Sequence, residues 1–545
     1  MKEYAISHAA NNFLLNEDRH FLEALTRWNY FPNQKASASE LPPNICTRQY
    51  TPEVADQLAN RVKISRNRLR RGFDLVEYRS TRYNNVSRVL GLIHPLAYAQ
   101  IYSQIKANIG AIKNAMCDPA SAITVQSHND GRMLIMNYED QEIKAVAAAE
   151  KGFGKKFRAH TDIGNCFGSI YTHSLEWAAQ GFDVAKERLG DKGEPRHWSS
   201  DLDRVLRAAK RNETAGLPIG PASSSIAVEI VLAAVDRGIA HRFNFVRYLD
   251  DYTALCDSHD EAQEFIRVLG SELGKYRLTL NLTKTSIVEL PEPIQEGWVS
   301  ELMNVVPSLL RSDGDLMPLS TGEAFHFMDY AVRLNNKTPD GSVVKFAVSM
   351  IAHRVEGKAA ADVFGYVMNL AWHYPVLLPF LEKIDARSIY LDRQSLIEKL
   401  NAIVRVNAKH RRSDGMSWAL YYLERLKAEP SIEAIEDVMG SRDAVSISLL
   451  ANFPGAQGKV IEYAKIVATS GIYSRDQYWL LMYQLYLKGE IENPDVDDGT
   501  FELLKSMGVN FFSPPEIVSR AEAYCALICN PFDESEPPSF EEWMK

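Results

Sequence analysis

Cysteine is scarce in this chain, with six in 545 residues. Cys46, Cys117, Cys166, Cys256, Cys525 and Cys529 do not form two CxxC pairs, which argues against a structural zinc site and fits a reducing cytoplasm. Cys525 and Cys529, four apart, are spaced to pack on one helix face. There is no apolar run long enough to cross a membrane and no signal-peptide pattern, so no membrane partner is expected. Positive charge is also in short supply. Sixty-one Lys and Arg against 70 Asp and Glu leave a net charge of −9. That is a poor balance for a long nucleic-acid groove, because such grooves rest on cations that neutralise phosphates. The apolar share, 46%, is ordinary for a globular protein, and the length has room for two to four domains.

The positive charge that exists is concentrated. Arg61, Lys63, Arg66, Arg68, Arg70, Arg71, Arg79, Arg82 and Arg88 face only Asp74 and Glu77 within one short stretch. Phe73, Tyr78 and Tyr83 are interleaved, a composition that suits bases stacking beside phosphate contacts. A solvated basic helix face is the competing reading.

One carboxylate pair stands out. Phe243 to Leu255 is apolar, aromatic and β-branched, and it is interrupted by Tyr248-Leu249-Asp250-Asp251. This reads as two buried strands around a tight turn. Asp-Asp is a common turn dipeptide, since Asp side chains cap their own backbone. Two adjacent acids in a buried hairpin nevertheless repel each other and lose hydration, and a divalent cation is the simplest compensation. A third acid, Asp162, ends a candidate strand in Arg158-Ala159-His160-Thr161-Asp162, followed by turn-prone residues and a helix-compatible run, Ser174–Ala179. There it can offer a carboxylate, and the adjacent Ile163 a carbonyl, to a hard cation, although an Asp capping a turn would look the same.

Between the acids lies the Gly- and Pro-punctuated loop 216–225, which opens a buried helix at Ile226–Val235. Downstream, Glu261–Leu269 has amphipathic helical spacing, and Leu278–Leu282 alternates as a strand that ends at Thr283-Lys284-Thr285. Lys284 there can reach back toward the acids, or be an ordinary solvated lysine.

The order of these four signals carries the identification. Thr161-Asp162-Ile163, Leu217-Pro218-Ile219-Gly220, Tyr248-Leu249-Asp250-Asp251 and Leu280-Asn281-Leu282-Thr283-Lys284-Thr285 resemble motifs A, B, C and D of a reverse-transcriptase palm. Ser169 to Ala178, the Gly216-to-Pro221 loop and Arg247-to-Tyr252 resemble the bacterial antiphage reverse transcriptases of the abortive-infection (AbiK-like) and defence-associated groups. Ser413-Asp414-Gly415-Met416-Ser417-Trp418-Ala419-Leu420 resembles a patch of their helical domain. The chain departs from retroviral and group II intron enzymes in carrying Ile219 where those usually have Gln, and it shows no RNase H-like acidic set.

The resemblance implies an α+β fold of fingers and palm over 61–295, with an antiparallel sheet and helices. An all-α, HEAT-like domain over 296–530 would stand in place of a thumb. A helical extension at 1–60, with a loop around Ala36–Pro43, would precede them, and an acidic tail at 531–545 would follow. Val363–Ala371, Ser395–Val404 and Ser417–Leu426 show helical periodicity in the third region, where about ten helices are expected.

The resemblance further implies DNA polymerisation in antiphage defence. Asp162, Asp250 and Asp251, with the Ile163 carbonyl, would hold two Mg²⁺ ions about 4 Å apart. Arg88 would grip the incoming triphosphate and Phe167 would act as steric gate against a ribose 2′-OH. Gly220 and Tyr248 would line the nucleotide site, and Lys284 would neutralise the leaving pyrophosphate. Members of that group synthesise DNA without a template, start from a protein hydroxyl so that single-stranded DNA stays covalently attached, and form homo-oligomers. Related defence enzymes copy a noncoding RNA. A sensor or scaffold that keeps the palm only to bind nucleotide is a further alternative.

Overall fold

A computed structural model describes residues 18–512, except residue 33 and residues 35–38, 83–85, 118–125, 128–132, 135–150, 188–195, 294–296, 307–316, 338–341, 385–390 and 495–498. Tyr83, Cys525, Cys529 and the expected acidic tail lie outside the described residues.

Among the described residues of the N-terminal part, helices flank a non-helical stretch. Helix α1 (Asp18–Glu23) runs into a π-helical turn (Ala24–Trp28), and α2 (Pro52–Arg61) follows. The described residues between them form turns, in a stretch punctuated by Pro32, Pro42 and Pro43. Helix α2 starts where Thr51 accepts from the Val54 amide and Pro52 presets the first turn. The short basic helix α3 (Arg66–Arg71) is capped by Ser65 and ends at Gly72, which has φ +73°.

Next comes an antiparallel hairpin of β1 (Val76–Thr81) and β2 (Ser87–Leu92), which pairs Val76 with Leu92 and Ser80 with Arg88. Helices α4 (Pro95–Ala107) and α5 (Ile109–Met116) and a minimal hairpin of β3 (Gln126–Ser127) and β4 (Met133–Leu134) lead to the central sheet. That sheet has four antiparallel strands in the order β6-β7-β5-β8: β5 (Phe157–Asp162), β6 (Phe245–Tyr248), β7 (Asp251–Cys256) and β8 (Ser286–Glu289). Helices α6 (Cys166–Ser169), α7 (Ser174–Gln180), α8 (Phe182–Glu187), α9 (Trp198–Ala208), α10 (Ala222–Ile239) and α11 (His259–Lys275) complete this part.

Alternation in the strands gives the sheet two unlike faces. Ala159, Thr161, Phe245, Arg247, Tyr252 and Ala254 point inward and are buried, while Arg158, His160, Val246, Tyr248 and Thr253 face the other way and are partly exposed. Helix α11 packs on the sheet and against α10. It opens with Ser258 accepting from the Glu261 amide while Glu261 reaches back to the Asp257 amide, a reciprocal cap.

From Gly297–Met303 to Thr500–Ser506 the regular elements are all helical among the described residues. Many of these helices pack on the next one or two in sequence. Thr321–Lys337 lies on Ser342–Ile351 and Gly357–His373, and Arg393–Lys409 lies on Ser413–Arg425 and Ile432–Ser441. Such stacking of near neighbours is how an α-solenoid buries its apolar faces. The last described residues return to the beginning: Phe511 stacks on Phe31 at 5.4 Å, and its carbonyl accepts from the Cys46 amide. Among the described residues no helix is long and apolar enough to cross a membrane.

Candidate active site

The three acids predicted from sequence come together where the two inner strands of the central sheet end, Asp162 at the end of β5 and Asp251 at the start of β7, with Asp250 in the turn before it. β5 and β7 run antiparallel, with Asp162 directly opposite Asp251. The Ile163 amide donates to the Asp250 carbonyl at 3.1 Å, so Asp162 and Asp251 form a non-hydrogen-bonded pair. In such pairs the Cα atoms are only about 4.5 Å apart and the side chains lie close. Like charges directly opposite one another destabilise a sheet, so this register requires compensation.

Asp250 lies in the two-residue turn between Tyr248 and Asp251, which are themselves paired. Leu249 takes φ +59° while Asp250 stays at negative φ, the φ pattern of a type II′ hairpin turn. Burial raises the Asp250 carboxyl above its ordinary range, its own backbone amide opposes that, and the charges of Asp251 and Asp162 raise it further.

Asp162 is buried. Its Oδ2 pairs with Lys284 Nζ at 2.5 Å, whereas its buried Oδ1 has no hydrogen-bond partner among the described residues. Hydrogen bonding to Asp162 raises the Lys284 ammonium. Unlike the sequence expectation, Leu278–Leu282 is not a strand. It contributes one bridge, Leu280 to Ile163, and then turns. Leu282 stands 76% exposed, so the alternation of its leucines had no second face to bury. Lys284 sits in that turn, whose Thr285 hydroxyl bonds to the Asn281 carbonyl and to Thr161 of β5.

The Ile163–Leu280 bridge uses the Asn281 amide on the Asp162 carbonyl and the Gly164 amide on the Thr279 carbonyl. The Ile163 carbonyl itself is left outside this pairing. Close by, His160 Nε2 is 4.0 Å from Asp251 Oδ1, and burial with Asp250 beside it pushes the Cys166 thiol up.

The glycine loop reaches the same place. The Leu217 amide donates to the Phe167 carbonyl at 2.8 Å and the Gly216 amide to the Ile170 carbonyl at 2.8 Å. Phe167 is half-buried against the core in α6, beside this loop. Gly220 has φ +125°, and a Cβ there would lie 2.5 Å from Pro32 Cγ. Only glycine fits that position. Arg88 lies on β2, and its hairpin meets the loop two residues later, where Leu90 bridges Ile219 and the Gly91 amide donates to the Ile219 carbonyl.

The basic run divides in two. Arg68 is buried in a bidentate pair with Asp476, and Arg79 pairs with Glu77, while Arg61, Lys63, Arg66, Arg70, Arg71 and Arg82 face solvent. The exposed, unpaired part of the run is therefore smaller than the sequence count.

Sequence reading also missed a cluster. Arg247, quoted only as part of the motif, is fully buried between Glu229 and Asp236 of α10, with Tyr252 donating to Asp236. The signal was two acids seven residues apart in an otherwise apolar helix, which places them on one face.

Among the described residues, no three His, Cys, Asp or Glu side chains stand as a closed metal-binding group. The donor chemistry nevertheless fits a hard divalent cation: two facing carboxylates, a third in the adjoining turn, and one buried carboxylate oxygen with no partner.

Residues 96–313 match the family model for reverse transcriptase (RNA-dependent DNA polymerase), which implies a nucleotidyltransferase. No curated protein matches. Among solved structures, telomerase from Candida albicans in complex with a TWJ fragment of telomeric RNA is 12% identical over 78% of this chain and 67% of its own, with a TM-score of 0.26. Apo telomerase from Candida tropicalis is 10% identical over 77% and 69%, with a TM-score of 0.29. The family match spans the three acids, the glycine loop and Lys284, and the chain accordingly carries a reverse-transcriptase domain over residues 96–313.

Proposed function

We propose that the chain is a DNA polymerase of antiphage defence that adds dNTPs by two-metal phosphoryl transfer, without a nucleic-acid template and from a protein hydroxyl. The observation that carries the polymerase reading is the register: Asp162 opposite Asp251, Asp250 in the turn beside them, and an unpartnered buried oxygen on Asp162. Asp162, Asp250 and Asp251, with the Ile163 carbonyl, would hold Mg²⁺. When bound, such ions activate a hydroxyl nucleophile and neutralise a triphosphate.

The remaining roles belong to the chain itself. Lys284 Nζ carries a fixed positive charge beside Asp162 and would meet the charge that develops on pyrophosphate. Phe167, held against the glycine loop, would exclude a ribose 2′-OH, and Gly220 lets the loop backbone pass where any side chain would collide. Arg88 would reach the triphosphate from β2, and Tyr248 would flank it from β6.

Resemblance of Ser169–Ala178 and Ser413–Leu420 to the abortive-infection group supports the defence role, covalently attached product and homo-oligomer. The small exposed positive charge favours an enzyme without a long duplex groove.

The test uses purified, nucleic-acid-free protein with each dNTP and Mg²⁺, followed by protease or nuclease digestion before electrophoresis. Metal-dependent products that lose mobility shift on proteolysis, and that disappear in Asp250→Asn with Asp251→Asn, are expected. Wild-type incorporation equal to that double variant overturns the polymerase reading. Synthesis abolished by RNase assigns a templating RNA instead. Phage defence that survives the double variant assigns a sensor or scaffold.

A further inference from the structure

The turn that carries Asp250 is built on an unfavourable backbone. Leu249 holds φ +59°, a region that bulky L-residues avoid, and it does so one residue before a catalytic acid. Something must over-determine that conformation. Burial of the Leu249 side chain is one constraint. The second is Arg247, whose Nη1 donates to the Leu249 carbonyl at 3.1 Å.

Arg247 has little freedom to do otherwise. Its Nη1 and Nη2 bind the two Glu229 oxygens at 2.9 and 2.6 Å, and its Nε binds Asp236 Oδ2 at 2.5 Å. The other Asp236 oxygen accepts from Tyr252 at 2.8 Å, and Tyr252 directly follows Asp251 in β7. The guanidinium therefore ties helix α10 to the turn, and Asp236 carries the tie on to strand β7 through Tyr252. The planar fork presents donors in several fixed directions, which an ammonium does not.

A buried ion cluster is not needed for stability as such, because well-packed apolar residues of similar volume often serve as well. Apolar residues cannot donate to the Leu249 carbonyl. We propose that Arg247 is a positioning residue of the catalytic turn: clamped by Glu229 and Asp236, it holds the Leu249 carbonyl and thereby fixes where the Asp250 and Asp251 carboxylates stand relative to Asp162. This rests on the polymerase reading. Arg247 touches neither metal nor substrate; it acts through the turn.

Outer residues that orient metal ligands change metal affinity by about 10–100-fold when removed. The experiment measures Mn²⁺ binding by electron paramagnetic resonance without nucleotide, together with dNTP incorporation across a Mg²⁺ titration. Two variants are used: Arg247→Lys, and the charge-free Arg247→Met/Glu229→Gln/Asp236→Asn. In both, Mn²⁺ affinity is expected to fall about tenfold or more, with the Mg²⁺ half-saturation rising by a similar factor. The maximal rate at saturating Mg²⁺ falls less, and secondary structure is kept. Arg247→Lys keeps the test decisive if the triple variant does not fold.

A folded variant that binds Mn²⁺ and responds to Mg²⁺ as the wild type does overturns the positioning role and leaves the polymerase reading standing. Wild-type protein that binds no Mn²⁺ and incorporates nothing overturns both.

Discussion

Asp476→Leu removes the carboxylate that joins the basic helix α3 to the C-terminal helices. Asp476 Oδ1 and Oδ2 accept from the two terminal nitrogens of Arg68 at 2.6 and 2.7 Å, and Oδ2 also accepts from the Asp74 amide at 3.0 Å. Both side chains are buried, and the Arg68 guanidinium lies 4.1 Å above the Phe73 ring. Breaking a buried pair leaves one charge uncompensated, which costs about 3–5 kcal/mol. The orphaned Asp74 amide adds about 1 kcal/mol. Arg68→Met should cost a similar amount, since it strands the Asp476 carboxylate. The double variant replaces the whole pair with apolar groups, so its loss should fall well below the sum of the single losses, with a coupling of at least about 2 kcal/mol. Two-state unfolding is a property of small single domains, so for a chain of this size the assay is native-state hydrogen exchange of the α3 and β1 amides. Losses that add within about 0.5 kcal/mol would refute the reasoning, because they would mean that the pair is solvated and not coupled.

Three further outcomes are expected. Asp414 accepts from the Thr81 amide and hydroxyl and the Gly415 amide, yet burial pushes its carboxyl up to about 6 from 3.8. Because the folded value lies above the ordinary one, its contribution is complete below pH ~4 and is lost as pH rises through 6, by about 3 kcal/mol. Hydrogen-exchange opening free energies of the β1 amides in wild type and Asp414→Asn, compared at pH 4 and pH 7, should differ in their pH dependence by that amount, and parallel profiles would refute it. Gly220→Ala puts a methyl group on Pro32 at a φ reserved for glycine and should lower the hydrogen-exchange opening free energy of the neighbouring amides by about 2–4 kcal/mol, whereas a loss under about 0.5 kcal/mol would mean that the loop moves freely. Phe167→Ala should raise incorporation of ribonucleotides relative to deoxynucleotides by at least about tenfold in competition assays, and an unchanged ratio would remove its role as gate.

The acids were legible because the sequence breaks its own pattern at them. Charge in an apolar, β-branched run has few explanations, and the β5–β7 register places Asp162 opposite Asp251. Helices with long periodic faces were equally readable: Ile226–Val235 lies inside α10, Glu261–Leu269 inside α11, and Val363–Ala371 inside Gly357–His373. What stayed hidden depends on partners distant in sequence. Leu278–Leu282 alternates like a strand, but β5 pairs instead with Ser286–Glu289, and Lys284 reaches Asp162 from a turn. Arg247 looked like one more cation because its partners, Glu229 and Asp236, lie in a separate helix. The basic run could not show that Arg68 is spent on Asp476, some four hundred residues away.

The same dependence on distant partners explains the patch at Ser413–Leu420. A two-stranded hairpin is marginal alone in water, and among the described residues β1–β2 has no third strand. The outward amides of β1 are answered by side chains instead: Arg79 donates to the Ser413 hydroxyl at 2.8 Å and Thr81 to Asp414 at 2.7 Å, while Ser413 in turn bonds to Asp443. Tyr78 adds a bond to Ser417, and Gly415 has no room for a Cβ beside Asn407. The start of the helix Ser413–Arg425 thus does for β1 what a neighbouring strand would do. On its other edge the hairpin meets Ile219 through β2, and that loop is tied to Phe167. A continuous path of hydrogen bonds therefore runs from the C-terminal helices through the hairpin to the glycine loop. A chain cut after β8 would keep the three acids on their sheet but lose the side chains that complete β1, and with them the support of Arg88 and of the loop that backs Phe167.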